Sequence, residues 1–135
     1  MYHHILVPVS FEADRNARQA LGIAQALGAE DATITLLHVM EHLPQYATEY
    51  LPADHLEKAR ADITAGLSAL AEGIKGAEVM VVQGHSARTI LDYADDKKAD
   101  CIVIASHRPG MQDFFLGSTA ARVVRHADCS VHVVR

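Results

Sequence analysis

Two hydrophobic periods take turns along this chain, and that alternation restricts its fold more than any single motif. Residues 5–9 form a short, continuous apolar run, the pattern of a strand buried on both faces. Ala17, Ala20, Leu21, Ala24 and Leu27 then fall at helical spacing, closed by Gly28. Residues 33–39, TITLLHV, are β-branched and apolar, which predicts a second strand. Residues 41–53 carry Pro44 and Pro52 and read as a loop. Asp54 and Glu57 have the spacing of a capping box, and the helix they open places Leu56, Ala59, Ile63, Leu67, Leu70 and Ile74 on one face, weakened slightly by Gly66 and Gly73. Residues 78–82 predict a third strand. Ser86 caps a helix carrying Ile90, Leu91 and Ala94, with Lys97 and Lys98 suiting its negative end. CIVIA at 101–105, a helix over 117–127 and a strand over 131–134 complete the series. Five strands and four helices in strict alternation predict one α/β domain over residues 1–135, a parallel sheet with helices on both faces.

In such sheets ligands bind beyond the carboxyl ends of the strands, where strand order reverses. The segments after the strands therefore hold the candidate site: Val9-Ser10, Val39-Met40, Gly84-His85, and everything after Ala105. The last is long, about eleven residues before the next helix, and long loops in compact domains are often functional. It ends in Gly117-Ser118-Thr119 at a helix mouth. Unpaired N–H groups and the helix dipole attract anions there, glycine admits a close ligand, and two hydroxyls add donors, so the element reads as a phosphate cradle. The plainer reading is a helix start with Ser118 or Thr119 as N-cap. Neither G-x-x-x-x-G-K-[ST] nor G-x-G-x-x-G occurs, and the first strand ends in Pro8-Val9-Ser10 without the acidic cluster that holds Mg²⁺ in receiver domains.

Charge narrows the partners. The net charge is −5, which argues against nucleic-acid or anionic membrane surfaces. It is uneven: residues 1–100 carry a net −7 and residues 101–135 a net +2, by chance or because the C-terminal quarter faces an anion. Cys101 and Cys129 lie in apolar surroundings without C-x-x-C, so neither a zinc site nor a disulfide is expected. The apolar run after Tyr2-His3-His4 is too short for a secretory leader or a membrane span, and an intracellular, cytoplasmic protein is expected. Nine histidines invite a metal reading, but His38 and His42 are four apart with His38 in a strand, where that spacing brings nothing together, and His3 and His4 point to opposite faces.

ILVPVS at 5–10, LLHV at 36–39, Gly84 after the third strand, IVIASHRPG at 102–110 and LGSTAARVVRHADCSVHVV at 116–134 together resemble the universal stress protein family, in particular small bacterial members with Ala-Ser-His-Arg-Pro after the fourth strand. The resemblance runs through essentially the whole chain, with residues 40–56 the most divergent. It implies a Rossmann-like three-layer sandwich of the adenine nucleotide alpha hydrolase type, strand order 3-2-1-4-5, and a homodimer through strand 131–134. It further implies an adenine nucleotide (ATP, ADP or AMP) between the first and fourth strands. Carried over residue by residue, Val39 touches adenine through its backbone and Ile104 lines the base pocket. Pro8, Val9 and Ser10 face base and ribose. Ala105, Ser106, His107, Arg108 and Gly110 lie along the following segment, and Gly117, Ser118 and Thr119 hold phosphate.

The chain departs from the binding branch's G-x2-G-x9-G-[ST]. Ala105 and Arg108 replace the first two glycines, and the spacer before Gly117 is one residue short. Gly110 offers compensating freedom and Arg108 a guanidinium for phosphate oxygens. Ser10 stands where the family typically has Asp, which touches the ribose and is a candidate metal ligand; Ser still hydrogen-bonds but brings no charge, so Mg²⁺ stays an open question. The functional expectation is a nucleotide-binding stress sensor or adaptor in which ligand orders residues 106–119 and an unidentified client reads the result. No catalytic residue is expected, since nothing positions water and stabilises a transferring phosphoryl group, with slow hydrolysis or autophosphorylation of Ser118 or Thr119 left open. The rivals are an interaction module without nucleotide, suggested by Ala105 and Arg108, and an ATP-consuming enzyme using His107 or Asp113. His107 has a second reading as the organiser of its turn. Phe114, Phe115 and Leu116 cover the pocket or touch a partner subunit, while Tyr46 and Tyr50 form a lid or a contact surface.

Overall fold

The computed structural model describes residues 1–10, 14–106 and 116–135, with the side chains of residues 14 and 15 outside that description. Five parallel strands are ordered β3-β2-β1-β4-β5. They are β1 (Tyr2–Pro8), β2 (Gly28–Met40), β3 (Ala77–Gln83), β4 (Cys101–Ala105) and β5 (Ser130–Val134). The helices are α1 (Asp14–Leu27), α2 (Gln45–Thr48), α3 (His55–Ala71), α4 (Ser86–Asp96) and α5 (Ser118–His126). The α/β class and the strand order agree with the expectations above.

Strand alternation sorts the core. Ile5 and Val7 of β1, with Val9 just beyond it, pack with Ala17, Ala20, Leu21 and Ala24 of α1 and Leu67 and Leu70 of α3. Leu6 points the other way, into Leu37, Ile102, Ile104, Ile90 and Val123, beneath α4 and α5. Ile5, Leu6 and Val7 are fully buried, as a continuous apolar run requires of a central strand, and each such side chain contributes about 1.5–3 kcal/mol by leaving water.

Where local signals and structure differ, tertiary contacts explain it. Helix α1 ends at Leu27, just before Gly28, and Gly28 itself already begins β2, where a Cβ would meet that of Ala32 at 3.1 Å. The 41–53 loop contains the one-turn helix α2. Asp54 precedes α3 but makes no capping hydrogen bond; its carboxylate pairs with Lys58, 3.2 Å away, one turn into the helix. Leu56 is exposed rather than on the buried face. Helix α3 ends at Ala71, so Gly73 lies beyond it at φ +79°, and Ile74 reaches the core from the connecting turn. Ser86 is the first helical residue of α4 and not its cap; its hydroxyl donates to Glu41 Oε1 at 2.9 Å. Both cysteines are free, and burial pushes the Cys101 thiol up to about 11, with Cys129 and Asp100 adding to the effect.

Candidate functional site

Pro8 opens the crevice. In a parallel strand, successive residues direct their backbone groups to opposite neighbours. Val9 N–H donates to Leu37 O of β2 at 2.8 Å, so the residues of odd number face β2 and those of even number face β4. Pro8 therefore turns toward β4, and it has no N–H to give. The ladder between β1 and β4 ends accordingly: Ile5 pairs with Cys101 and Leu6 with Ile102, and no later pair forms, whereas β1 and β2 stay paired as far as Pro8 and Leu37. The two central strands thus part at the point where the chain reverses its direction across the sheet.

A cavity of about 200 Å³ fills the gap. Pro8, Val9, Ser10, Val39, Ile104, Ala105, Ser106, Gly117, Ser118 and Thr119, all singled out from sequence, line it together. His107, Arg108 and Gly110 lie outside the described residues, as do Asp113 and most of the 106–119 segment that ligand was expected to order. The lining combines apolar side chains, Leu37, Val39, Ile90 and Ile104, with the start of α5.

Gly117 is the N-cap of α5 with φ −59° and ψ 153°, a conformation any residue adopts, so backbone freedom does not explain the glycine. Space does. A Cβ at this position would sit 3.2 Å from the Ser106 carbonyl oxygen. Gly117 is the N-cap, so neither Ser118 nor Thr119 serves as one, and among the described residues no side chain caps α5 and both hydroxyls are without a protein partner. The helix thereby presents its first N–H groups and two hydroxyls to the cavity. Ser106 lines the cavity too, but its own groups turn away: its N–H and hydroxyl both donate to Val134 O, at 2.9 and 3.3 Å.

Sequence reasoning missed His38, Asn16 and the small face of α1. His38 lies at the cavity, and its Nδ1 is 2.7 Å from Val9 O. Since that carbonyl accepts, Nδ1 carries the proton, and the ring pins the turn that leads to Ser10. Ala17 and Ala20 sit where larger side chains would close the space. The alanine spacing was visible, but it reads equally as helix packing. The described lining contains no Asp, Glu, Lys or Arg, and no group of three or more His, Cys, Asp or Glu that could hold a metal ion occurs among the described residues. Among the described residues, no helix is long and apolar enough to cross a membrane.

Residues 1–135 match the profile of the Universal stress protein family. The chain is 30% identical to a universal stress protein of Thermus aquaticus over 139 residues, covering 100% of both chains. It is 31% identical to one of Methanocaldococcus jannaschii over 145 residues, covering 100% of this chain and 83% of that one. Among solved structures, a universal stress protein in complex with cAMP superposes with TM-score 0.72 at 20% identity, covering 99% of this chain and 97% of the other. One from Archaeoglobus fulgidus in complex with dAMP gives 0.69 at 20% identity, covering 99% and 98%. At that identity the superpositions speak for the fold.

Proposed function

This chain belongs to the universal stress protein family, and from that premise we propose that it binds an adenine nucleotide, ATP foremost, between β1 and β4 as a cytoplasmic, homodimeric stress sensor or adaptor. The observation that carries this reading is the start of α5, capped by a glycine without a side chain, which opens on a cavity that apolar side chains also line. The apolar side chains suit a purine, and the helix start suits phosphate oxygens. Two proteins of the same fold have been solved with cAMP and with dAMP, which supports adenine as the base.

A nucleotide fits the residues present. Ser118 and Thr119 would donate to phosphate, Val39 and Ile104 would flank the base, and Ser10 would reach the ribose. A divalent cation fits less well, because no carboxylate of the described lining would hold it. The same lining favours a binder over an enzyme: it offers no Asp, Glu or Lys to orient water or neutralise a leaving phosphoryl group. Strand β5 supports the dimer. It pairs with β4 alone, and an uncovered edge of this kind is satisfied by the same strand of a second copy.

Equilibrium dialysis against AMP, ADP, ATP and cAMP tests the reading. Retention at micromolar to millimolar nucleotide is expected, with adenine preferred over guanine. A second reading, an interaction module of the same fold, keeps in its favour Ala105 and Arg108 at the family's glycine positions. Absence of retention at millimolar nucleotide decides for it.

A further inference from the structure

A second recess lies on the outer face of the helix layer, apart from the crevice, with a volume of about 470 Å³. Arg88 and Asp92 form one wall on α4, Arg122 and His126 the other on α5, and Ala87 and Leu91 are its apolar elements. Both helices return against parallel strands, so they run parallel and their positive ends lie side by side. Arg88 meets Asp92 only at 4.0 Å, with both side chains mostly exposed, and Arg122 has no partner among the described residues. The groove is cationic on a chain whose net charge is −5.

The opposite chemistry sits on one segment of the same chain. Of the seven large apolar side chains exposed among the described residues, four are Leu43, Tyr46, Tyr50 and Leu56. Tyr50 is 87% exposed and Tyr46 73%. Residues 41–57 also hold Glu41, Glu49, Asp54 and Glu57, with no Lys or Arg. An apolar surface of this kind on a small domain marks a contact site. Glu41 accepts a hydrogen bond from Ser86 at the start of α4, so the segment leaves the body beside the groove's own helix.

We infer that the α4–α5 groove receives residues 43–57 of a second copy of this chain. A two-fold axis near the Glu41–Ser86 junction lays each segment across the other's groove, a self-complementary contact that closes. Tyrosine rings cover Leu91 and stack on guanidinium planes, while Glu49 faces Arg122. Two buried tyrosines contribute about 150–250 Å² each, a substantial part of the roughly 800 Å² per partner that a stable interface needs. The contact leaves β5 and the start of α5 free and meets the crevice only at Ser86, so it is tested apart from pairing at the sheet edge.

Sedimentation velocity on the full chain tests it, in a Val133→Pro background. Ser106 N–H bonds to Val134 O, so Val134 faces β4 and Val133 faces outward; proline there blocks the free edge without costing the sheet a bond. This variant is expected to sediment as a dimer at low salt and to dissociate as salt rises. Adding Arg122→Glu weakens the dimer by about tenfold or more, and adding Tyr50→Ala weakens it similarly. Adding Glu49→Arg to Arg122→Glu restores association. Both positions are exposed, and an unchanged far-UV spectrum verifies that each variant folds. A monomer at every concentration overturns the inference, as does a dimer indifferent to Arg122→Glu. Loss without rescue by Glu49→Arg overturns it as well and assigns the groove to a different acidic partner.

Discussion

The two ends of β1 meet the same physical problem and solve it differently. At its amino end the protein satisfies its own polar groups. Asp100 accepts backbone N–H bonds from His3 and His4 at 2.8 and 2.9 Å, and its own N–H donates to His4 O. The His4 ring lies between Thr35 Oγ1, at 2.9 Å, and Lys97 O, at 3.1 Å. At the carboxyl end, Pro8 ends the ladder and among the described residues no side chain caps the start of α5. A network closed on itself contributes to stability; groups left open contribute nothing until a ligand arrives. The comparison teaches where to expect a mutation to cost folding and where to expect it to cost binding.

The largest expected effect breaks the open end. Gly117→Trp should lower nucleotide affinity by about a hundredfold or more, read by isothermal titration calorimetry. Because a Cβ there already meets Ser106 O, the variant must also shift the Ser106–Val134 contact, and a modest fall in melting temperature is expected with it. At the closed end, Thr35→Val keeps the shape but removes the hydroxyl at His4 Nε2. With Thr35 only 1% exposed, a loss of about 1–3 kcal/mol in urea unfolding is expected, with nucleotide affinity unchanged.

Ser118→Ala combined with Thr119→Ala should do the reverse. Affinity falls by about tenfold, since two hydroxyls contribute roughly 1 kcal/mol each at most, while stability stays within about 0.5 kcal/mol. Stability lost together with affinity would mean that these hydroxyls serve the fold, and the contrast between the ends would collapse.

The smallest effect is that of Asp100. Burial, the largest single influence, pushes its carboxyl up. The backbone N–H groups of His3, His4 and Asp100 itself, with the His3 charge, outweigh it and leave the carboxyl below its ordinary 3.8. A lowered folded value means that the stability from this group is present above the unfolded value and is lost as pH falls through the folded one. Asp100→Asn should therefore cost about 1 kcal/mol at neutral pH, modest because the site is partly exposed, and the difference from wild type should shrink below about pH 4.

Much of the fold was legible because a central parallel strand needs a continuous apolar run, as in residues 5–9, and crossover helices need one apolar stripe, as in Ala17 to Leu27. Part of the candidate site was legible for a related reason, since a switch point collects the residues that follow the strands, such as Val9, Ser10 and Ser106; Pro8 and Ile104 were named only through the family resemblance. Capping was less legible. Ser86 and Asp54 carry cap chemistry, yet Glu41 and Lys58 take their side chains, and neither partner can be weighed from local sequence. His38 was weighed only as a metal ligand, because its bond to Val9 O joins residues 29 positions apart.

By itself, the sequence determined the layers, the strand count and the stretch that opens α5, because hydrophobic period and turn chemistry are local properties of the chain. Only the tertiary structure decided which hydroxyls were already taken, why Gly117 must lack a side chain, and that an acidic aromatic segment lies beside a cationic groove. Those outcomes depend on distances between residues far apart in sequence, which exist only once the sheet has brought them together.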